Sequence, residues 1–203
     1  SEVSIEVVKL KTRYPQGGEK QLIYTILGRK VPVGGLPLDV GVVVQNVGTS
    51  YAIYEAVVKG KPLYERVVTV VGSNIKKSGN YLIRIGTKVK DILSFCEANL
   101  EDNSKLIFGG PMMGIAQWTD EVSVIKGTSG IVLLRPKEVK FYEDLTCIRC
   151  GRCVMVCPMN LVPTKIVQYV KKRLYDEAEN LGILSCIECG SCAYSCPAKI
   201  PLV

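Results

Sequence analysis

The chain has 203 residues, with 26 lysines and arginines against 19 aspartates and glutamates, and a formal net charge of +7. This length allows one or two ordinary domains, or three small ones. The hydrophobic fraction of 47% is typical of a folded chain, and no apolar run is long enough to cross a bilayer. The basic residues are scattered and form no aromatic–basic stripe, which argues against a nucleic-acid-binding protein.

The first 62 residues predict the closing part of an α/β domain whose opening part is absent. Strands are expected at 3–9 and 42–44. Helices are expected at 20–27 and, from a cap at Thr49 or Ser50, up to residue 58. Gly28 and Gly60 are expected to end the two helices. A complete nucleotide-binding βαβ unit with a glycine-rich first turn is missing. We therefore expect the chain to be a fragment of a longer polypeptide.

Residues 63–136 predict a second domain. Strands are expected at 67–72, 81–85, 106–108 and 131–134. A helix capped by Thr87 is expected after the second strand. Its apolar residues recur at helical spacing and are Val89, Ile92, Leu93, Cys96 and Leu100. Cys96 is therefore interpreted as a core residue, and the order ββαββ resembles a β-grasp domain of the SLBB-like kind.

The last domain, 137–203, holds eight of the nine cysteines, in two copies of the pattern C-x2-C-x2-C-x3-C-P. The copies start at Cys147 and Cys186, so the repeat period is 186 − 147 = 39 residues. Three such cysteines can surround a [4Fe–4S] cube, and the fourth ligates the cluster of the other run. We assign the first cluster to Cys147, Cys150, Cys153 and Cys196. We assign the second cluster to Cys157, Cys186, Cys189 and Cys192.

Zinc and disulfide bonds are the alternative interpretations of these cysteines. Zinc sites usually combine two C-x2-C pairs, or cysteines with histidine, and the chain has no histidine. A secreted disulfide scaffold is normally short and lacks such a repeat. Exposed thiolates also favour a reducing compartment.

Two helices are expected between the cysteine runs. Pro163 suits a first helical turn, and Asp176 with Glu179 predicts a capping box at the start of a second helix, which ends near Gly182. This spacing resembles the α-helical ferredoxin module of respiratory iron–sulfur subunits. The predicted fold class is therefore α+β: a truncated α/β domain, a β-grasp domain and an α-helical module with two cluster loops.

Taken in order, these segments resemble the RnfC family, the peripheral subunits of ion-translocating ferredoxin:NAD oxidoreductases. That family is related to the flavin-bearing, NADH-binding subunit of respiratory complex I. The motifs that carry the resemblance are Y-P-Q-G-G-E-K-Q-L at 14–22, G-G-L-P-L-D-V-G-V-V-V-Q-N-V-G-T at 34–49, G-G-P-M-M-G at 109–114, K-G-T-S-G at 126–130 and C-I-R-C-G-R-C at 147–153.

The resemblance implies FMN and NADH as cofactors of the intact subunit. Two motifs of the flavin-bearing family, Y-x-x-G-E-E and N-N-V-E-T, contact the flavin. This chain keeps Tyr14, Gly17 and Glu19 of the first motif, and Asn46 and Thr49 of the second. Both motifs depart from the family pattern, and the glycine-rich phosphate loop is absent. We therefore expect that this fragment does not retain FMN or NADH.

The resemblance further implies a one-electron relay through two clusters, with no catalytic side chain. Other Rnf subunits and ferredoxin are the expected partners, and only these subunits connect the chain to the membrane. The expected location is peripheral, on the cytoplasmic side of the bacterial inner membrane. No activity is assigned to the fragment alone. Two alternatives stay open: a cobalamin-reducing flavoprotein of a bacterial microcompartment, and a docking module with structural clusters.

Overall fold

The computed structural model describes residues 4–102, 104–139 and 145–203. They form two compact units. We call residues 4–44 with 145–203 the cysteine unit, and residues 45–139 the sheet unit. The division into three domains at 62 and 136 stays a prediction. In the part of the chain that the structure describes, no helix is both long and apolar enough to span a membrane.

The amino-terminal part of the cysteine unit contains one α-helix. Helix α1 spans Glu19–Leu27 and ends at Gly28, whose φ of 66° lies in the left-handed region that suits glycine. This confirms the predicted helix. The predicted strands are wrong, because residues 4–9 and 42–44 have no regular secondary structure. An alternating pattern forms a strand only where a partner strand pairs with it. Residue 3 lies outside the described residues.

Helix α2 opens the sheet unit and spans Val47–Lys59. It begins earlier than predicted because the side chain of Asn46 caps it, accepting a hydrogen bond from the N–H of Gly48 at 2.9 Å. Gly60 ends the helix in a left-handed conformation, as predicted. None of the thirteen residues of α2 is buried.

A five-stranded mixed sheet forms the centre of the sheet unit. Its strands are β1 (Glu65–Gly72), β2 (Gly79–Arg84), β3 (Lys105–Phe108), β4 (Ile115–Gln117) and β5 (Gly130–Leu134). Their order across the sheet is β2-β1-β5-β3-β4. The central pair β1–β5 is parallel, and the other pairs are antiparallel. The four predicted strands are confirmed, and β4 is an additional edge strand that the pattern did not predict.

The core of the sheet unit lies between the sheet and helix α3, Val89–Phe95. Side chains that point from the sheet towards α3, such as Val68 and Leu133, are fully buried. Cys96 is also fully buried in this cluster, which confirms it as a core residue. Leu100 is 49% exposed and does not belong to the apolar stripe. The helix begins after Lys88, one residue later than the predicted cap.

Four short helices complete the cysteine unit. They are α4 (Arg152–Met155), α5 (Pro163–Lys171), α6 (Tyr175–Asn180) and α7 (Ser191–Ser195). Pro163 occupies the first turn of α5, as predicted. The predicted capping box of α6 is wrong, because Asp176 lies inside the first turn and Leu174 is the residue that precedes the helix.

Candidate metal centres

The two cysteine runs fold in the same way. Left-handed backbone conformations occur in pairs that are 39 residues apart: Arg149 and Glu188 (φ 57° and 52°), Gly151 and Gly190 (72° and 79°), Asn160 and Lys199 (56° and 52°). Non-glycine residues seldom adopt positive φ. In each run the glycine precedes a short helix, α4 in the first and α7 in the second. The sequence repeat is therefore also a structural repeat.

Backbone N–H groups point at cysteine sulfurs in both runs. The N–H of Arg149 donates to Sγ of Cys147, and the N–H of Glu188 donates to Sγ of Cys186, each at 3.4 Å. The N–H of Leu161 donates to Sγ of Cys157, also at 3.4 Å. Such donors stabilise a negatively charged sulfur, which is the form that binds metal.

Two cavities lie at the cysteine runs. The first cavity, of about 280 Å³, is lined by Cys147, Cys150, Cys153 and Cys196. The second cavity, of about 580 Å³, is lined by Cys157, Cys186, Cys189 and Cys192. Each cavity thus takes three cysteines from one run and one from the other. These are the two sets that the spacing predicted, and their role as ligands stays a prediction.

The cysteines that line each cavity can be compared with the ligands that a zinc ion and a cube require. Zinc holds four ligands at about 2.0–2.3 Å, so their donor atoms must converge on one point. Among the residues that the structure describes, no three acidic or cysteine side chains converge in this way. A [4Fe–4S] cube is larger and takes one thiolate at each of four corners. Each cavity is lined by four cysteines, which is the number of thiolates that such a cube takes.

The surroundings of the cysteines are partly apolar. Cys153 and Cys196 pack with Ala198, Ile200 and Leu202 in a small buried cluster. Burial raises the pKa of the Cys192 thiol. An iron–sulfur group bound here would favour the thiolate form, because its iron ions carry positive charge.

The five predicted flavin contacts fall in both compact units. Tyr14, Gly17 and Glu19 lie at or just before the start of α1, in the cysteine unit. Asn46 and Thr49 lie at the start of α2, in the sheet unit. The side chain of Asn46 is engaged in capping α2. The assignment of these five residues to flavin stays a prediction.

Sequence reasoning missed a contact between Tyr14 and the second cysteine run. The hydroxyl of Tyr14 donates to the carbonyl oxygen of Cys189 at 2.6 Å. Partial removal from water and the charge of Cys189 raise the pKa of Tyr14. The two residues are 175 positions apart, and no local pattern indicates that they meet.

Three family models match successive parts of the chain. A Nuo51 FMN-binding domain matches residues 1–55, an SLBB domain matches 67–116, and a 4Fe-4S dicluster domain matches 140–197. These matches confirm the predicted fold class, the two [4Fe–4S] clusters and the presence of an FMN-binding-domain segment.

Three curated proteins, all of them RnfC subunits, are similar over most of the chain. That of the proton-translocating ferredoxin:NAD(+) oxidoreductase complex of Clostridium ljungdahlii is 51% identical over 175 residues, which are 86% of this chain and 38% of the relative. The subunit of the Na(+)-translocating ferredoxin:NAD(+) oxidoreductase complex of Acetobacterium woodii is 47% identical over 176 residues. These residues are 87% of this chain and 40% of the relative. The subunit of the ion-translocating oxidoreductase complex of Rhodobacter capsulatus is 44% identical over 192 residues. These residues are 95% of this chain and 37% of the relative.

The matched region thus spans about two fifths of the length of these relatives. Identity of this extent, with three family models in the same order, establishes common descent. The chain belongs to the RnfC family.

Proposed function

We propose that the chain carries electrons through two [4Fe–4S] clusters within an ion-translocating ferredoxin:NAD oxidoreductase complex. The observation that supports this most directly is the pair of cavities, each lined by four cysteines, in the segment that matches a 4Fe-4S dicluster domain. When bound, such clusters supply one-electron oxidation and reduction.

The side chains of this chain have the role of holding and tuning the clusters. Cys147, Cys150, Cys153 and Cys196 would hold the first cluster, and Cys157, Cys186, Cys189 and Cys192 the second. The N–H groups of Arg149, Leu161 and Glu188 point at three of these sulfurs. Such donors orient the ligands and stabilise the reduced state, which carries more negative charge. Apolar residues such as Ile166 and Leu202 line the second cavity and limit the access of water.

The flavin, the nicotinamide and the partners belong to the proposal for the intact subunit. The match of residues 1–55 to an FMN-binding domain supports FMN there. The names of the relatives support ferredoxin and NAD as redox partners, and other subunits of an Rnf complex as binding partners. Under this proposal the chain is peripheral, on the cytoplasmic side of the membrane, and other subunits connect it to the bilayer.

Iron and sulfide analysis of anaerobically prepared protein tests the function. Two cubes give about eight iron and eight sulfide per chain. Cys153→Ala is expected to reduce the iron content substantially. Cys96→Ala is the matched control. Cys96 lies in the sheet core, so this substitution is expected to leave the iron content unchanged.

Two outcomes would contradict the proposal. Stoichiometric zinc in place of iron would support the zinc alternative. Clusters that dithionite cannot reduce would favour the docking module with purely structural clusters. A brown protein that dithionite bleaches is the expected result.

A further inference from the structure

The segment that matches the FMN-binding domain contacts the second cavity. Tyr14 precedes α1, and its hydroxyl donates to the carbonyl oxygen of Cys189 at 2.6 Å. Cys189 lines the second cavity, and its residue is only 7% exposed. The hydrogen bond therefore fixes the backbone of a cysteine that we propose as a ligand of the second cluster.

A second contact from the same segment ends at the same cavity. Nε2 of Gln21, on α1, lies 2.9 Å from Sδ of Met159. Met159 follows Cys157 by two residues, and both line the second cavity. Ile23, on the same helix, is buried. Helix α1 therefore contacts a residue that lines the second cavity, as does Tyr14, which precedes the helix.

The structural repeat provides an internal comparison. Cys150 and Cys189 occupy equivalent positions in the repeat, and in each run the residues on either side of this cysteine have left-handed backbone conformations. Cys189 is buried, whereas Cys150 is exposed. The two sites have the same sequence pattern but differ in the solvent exposure of this cysteine. Tyr14 contacts the buried cysteine, Cys189.

We propose that Tyr14 is a positioning residue for the second site (Cys157, Cys186, Cys189 and Cys192). The inference rests on the proposed clusters and adds a residue of the segment that matches the FMN-binding domain to the surroundings of one of them. We call Cys147, Cys150, Cys153 and Cys196 the first site.

Tyr14→Phe tests the proposal in two backgrounds that each keep one cluster. Cys147→Ser with Cys150→Ser keeps the second site, and Cys186→Ser with Cys192→Ser keeps the first. Loss of the Tyr14 hydroxyl removes the hydrogen-bond donor of the Cys189 carbonyl oxygen. The partial negative charge of this oxygen would then lie beside the cluster without that donor. The midpoint potential of the second cluster is therefore expected to fall, and its electron paramagnetic resonance spectrum to change.

The matched control is Tyr24→Phe. Tyr24 lies on α1 and is exposed, and its ring faces the ammonium of Lys30 at 5.6 Å. This variant is expected to change neither cluster. In the background that keeps the first site, Tyr14→Phe is likewise expected to change nothing.

A second measurement needs no cluster. In metal-free protein, Tyr14→Phe is expected to increase the rate at which Cys189 reacts with a thiol-alkylating reagent, whereas the rate for Cys150 stays the same. Peptide mass spectrometry separates the two sites.

Three results would overturn the inference: no spectral or potential change in either background, a change confined to the first site, or equal acceleration of alkylation at Cys150 and Cys189. Absence of iron from both backgrounds while Tyr14 is intact would contradict the proposed function itself. An effect confined to the second site supports both.

Discussion

At the scale of single residues, Gly72 shows how closely two central strands approach. It ends β1 and pairs with Leu133 of β5, and a methyl group at this position would meet the carbonyl oxygen of Leu133. That oxygen belongs to the backbone and cannot turn away. We predict that Gly72→Ala lowers the free energy of unfolding by about 1–3 kcal/mol, the usual cost of overpacking, as measured by urea denaturation.

Gly110→Ala is the control for this prediction. A methyl group at 110 meets nothing within 4 Å, so the stability should change little. Equal destabilisation by both substitutions would show that the close approach of β1 and β5 is not the cause.

Glu121 gives a pH-dependent prediction. It accepts hydrogen bonds from Nζ of Lys88 at 2.7 Å and of Lys90 at 2.5 Å, which lower its pKa from 4.5 to about 2. Because the pKa is lower in the folded state, this contribution to stability is complete above about pH 4.5 and is lost as the pH falls towards 2. All three side chains are partly exposed, so salt weakens the effect.

The test compares Glu121→Gln with the unmodified protein. The variant should be less stable at about pH 6, and the difference should shrink as the pH falls to about 3. Urea unfolding of metal-free protein, followed by circular dichroism, measures both stabilities. A difference that does not depend on pH would contradict the assignment.

Some residue-level features could be predicted from the sequence and others could not. Cys96 was identified as a core residue because it continues the apolar stripe of a helix. The contact of Tyr14 with Cys189 could not be predicted, because it joins residues that are far apart in the chain. A hydrogen bond of this kind leaves no periodic trace in the sequence.

At the scale of elements, the two cysteine runs share a backbone but differ in charge. Arg149 and Glu188 are equivalent, and each donates its N–H to the first cysteine of its run. We predict that Arg149→Gln lowers the midpoint potential of the first cluster, because a positive charge favours the more negative reduced state. Glu188→Gln should raise the potential of the second cluster for the same reason.

Redox titration followed by electron paramagnetic resonance measures both potentials. The two substitutions serve as controls for each other, since each neutralises one exposed charge at an equivalent position. Shifts in the same direction would contradict an electrostatic cause. Because both side chains are exposed, both shifts should diminish at high salt.

Helix α1 and four of the strands could be predicted, because hydrophobic periodicity and a glycine that ends a helix are both local features of the sequence. The segment at 4–9 alternates like a strand, yet it lacks regular secondary structure. A strand requires a partner strand, and the sequence of the segment does not specify which strand that is. Strand β4 was missed for a related reason: its three residues are too few to show a period.

At the scale of the whole molecule, the two units have different kinds of core. The core of the sheet unit consists mainly of aliphatic side chains from β1, α3 and β5. The buried cluster of the cysteine unit is small and includes Cys153 and Cys196. We predict that removal of iron by a chelator loosens residues 145–203 and leaves the sheet intact, because bound metal supplies part of the folding free energy.

Hydrogen–deuterium exchange with mass spectrometry tests this prediction. Amides of α4 and α7 should lose most of their protection on chelation, whereas those of β1 and β5 should keep theirs. Cys96→Ala protein should respond to the chelator in the same way. Loss of protection in both units at once would show that the sheet also depends on the metal.

The sharing of cysteines between the two cavities has a consequence for how such a chain could arise. Each cavity takes its fourth cysteine from the opposite run. A polypeptide with a single run could complete neither pocket alone, but two identical copies facing each other across a twofold axis could complete both. Gene duplication, with α5 and α6 as the bridge between the copies, would turn such an obligate homodimer into one chain.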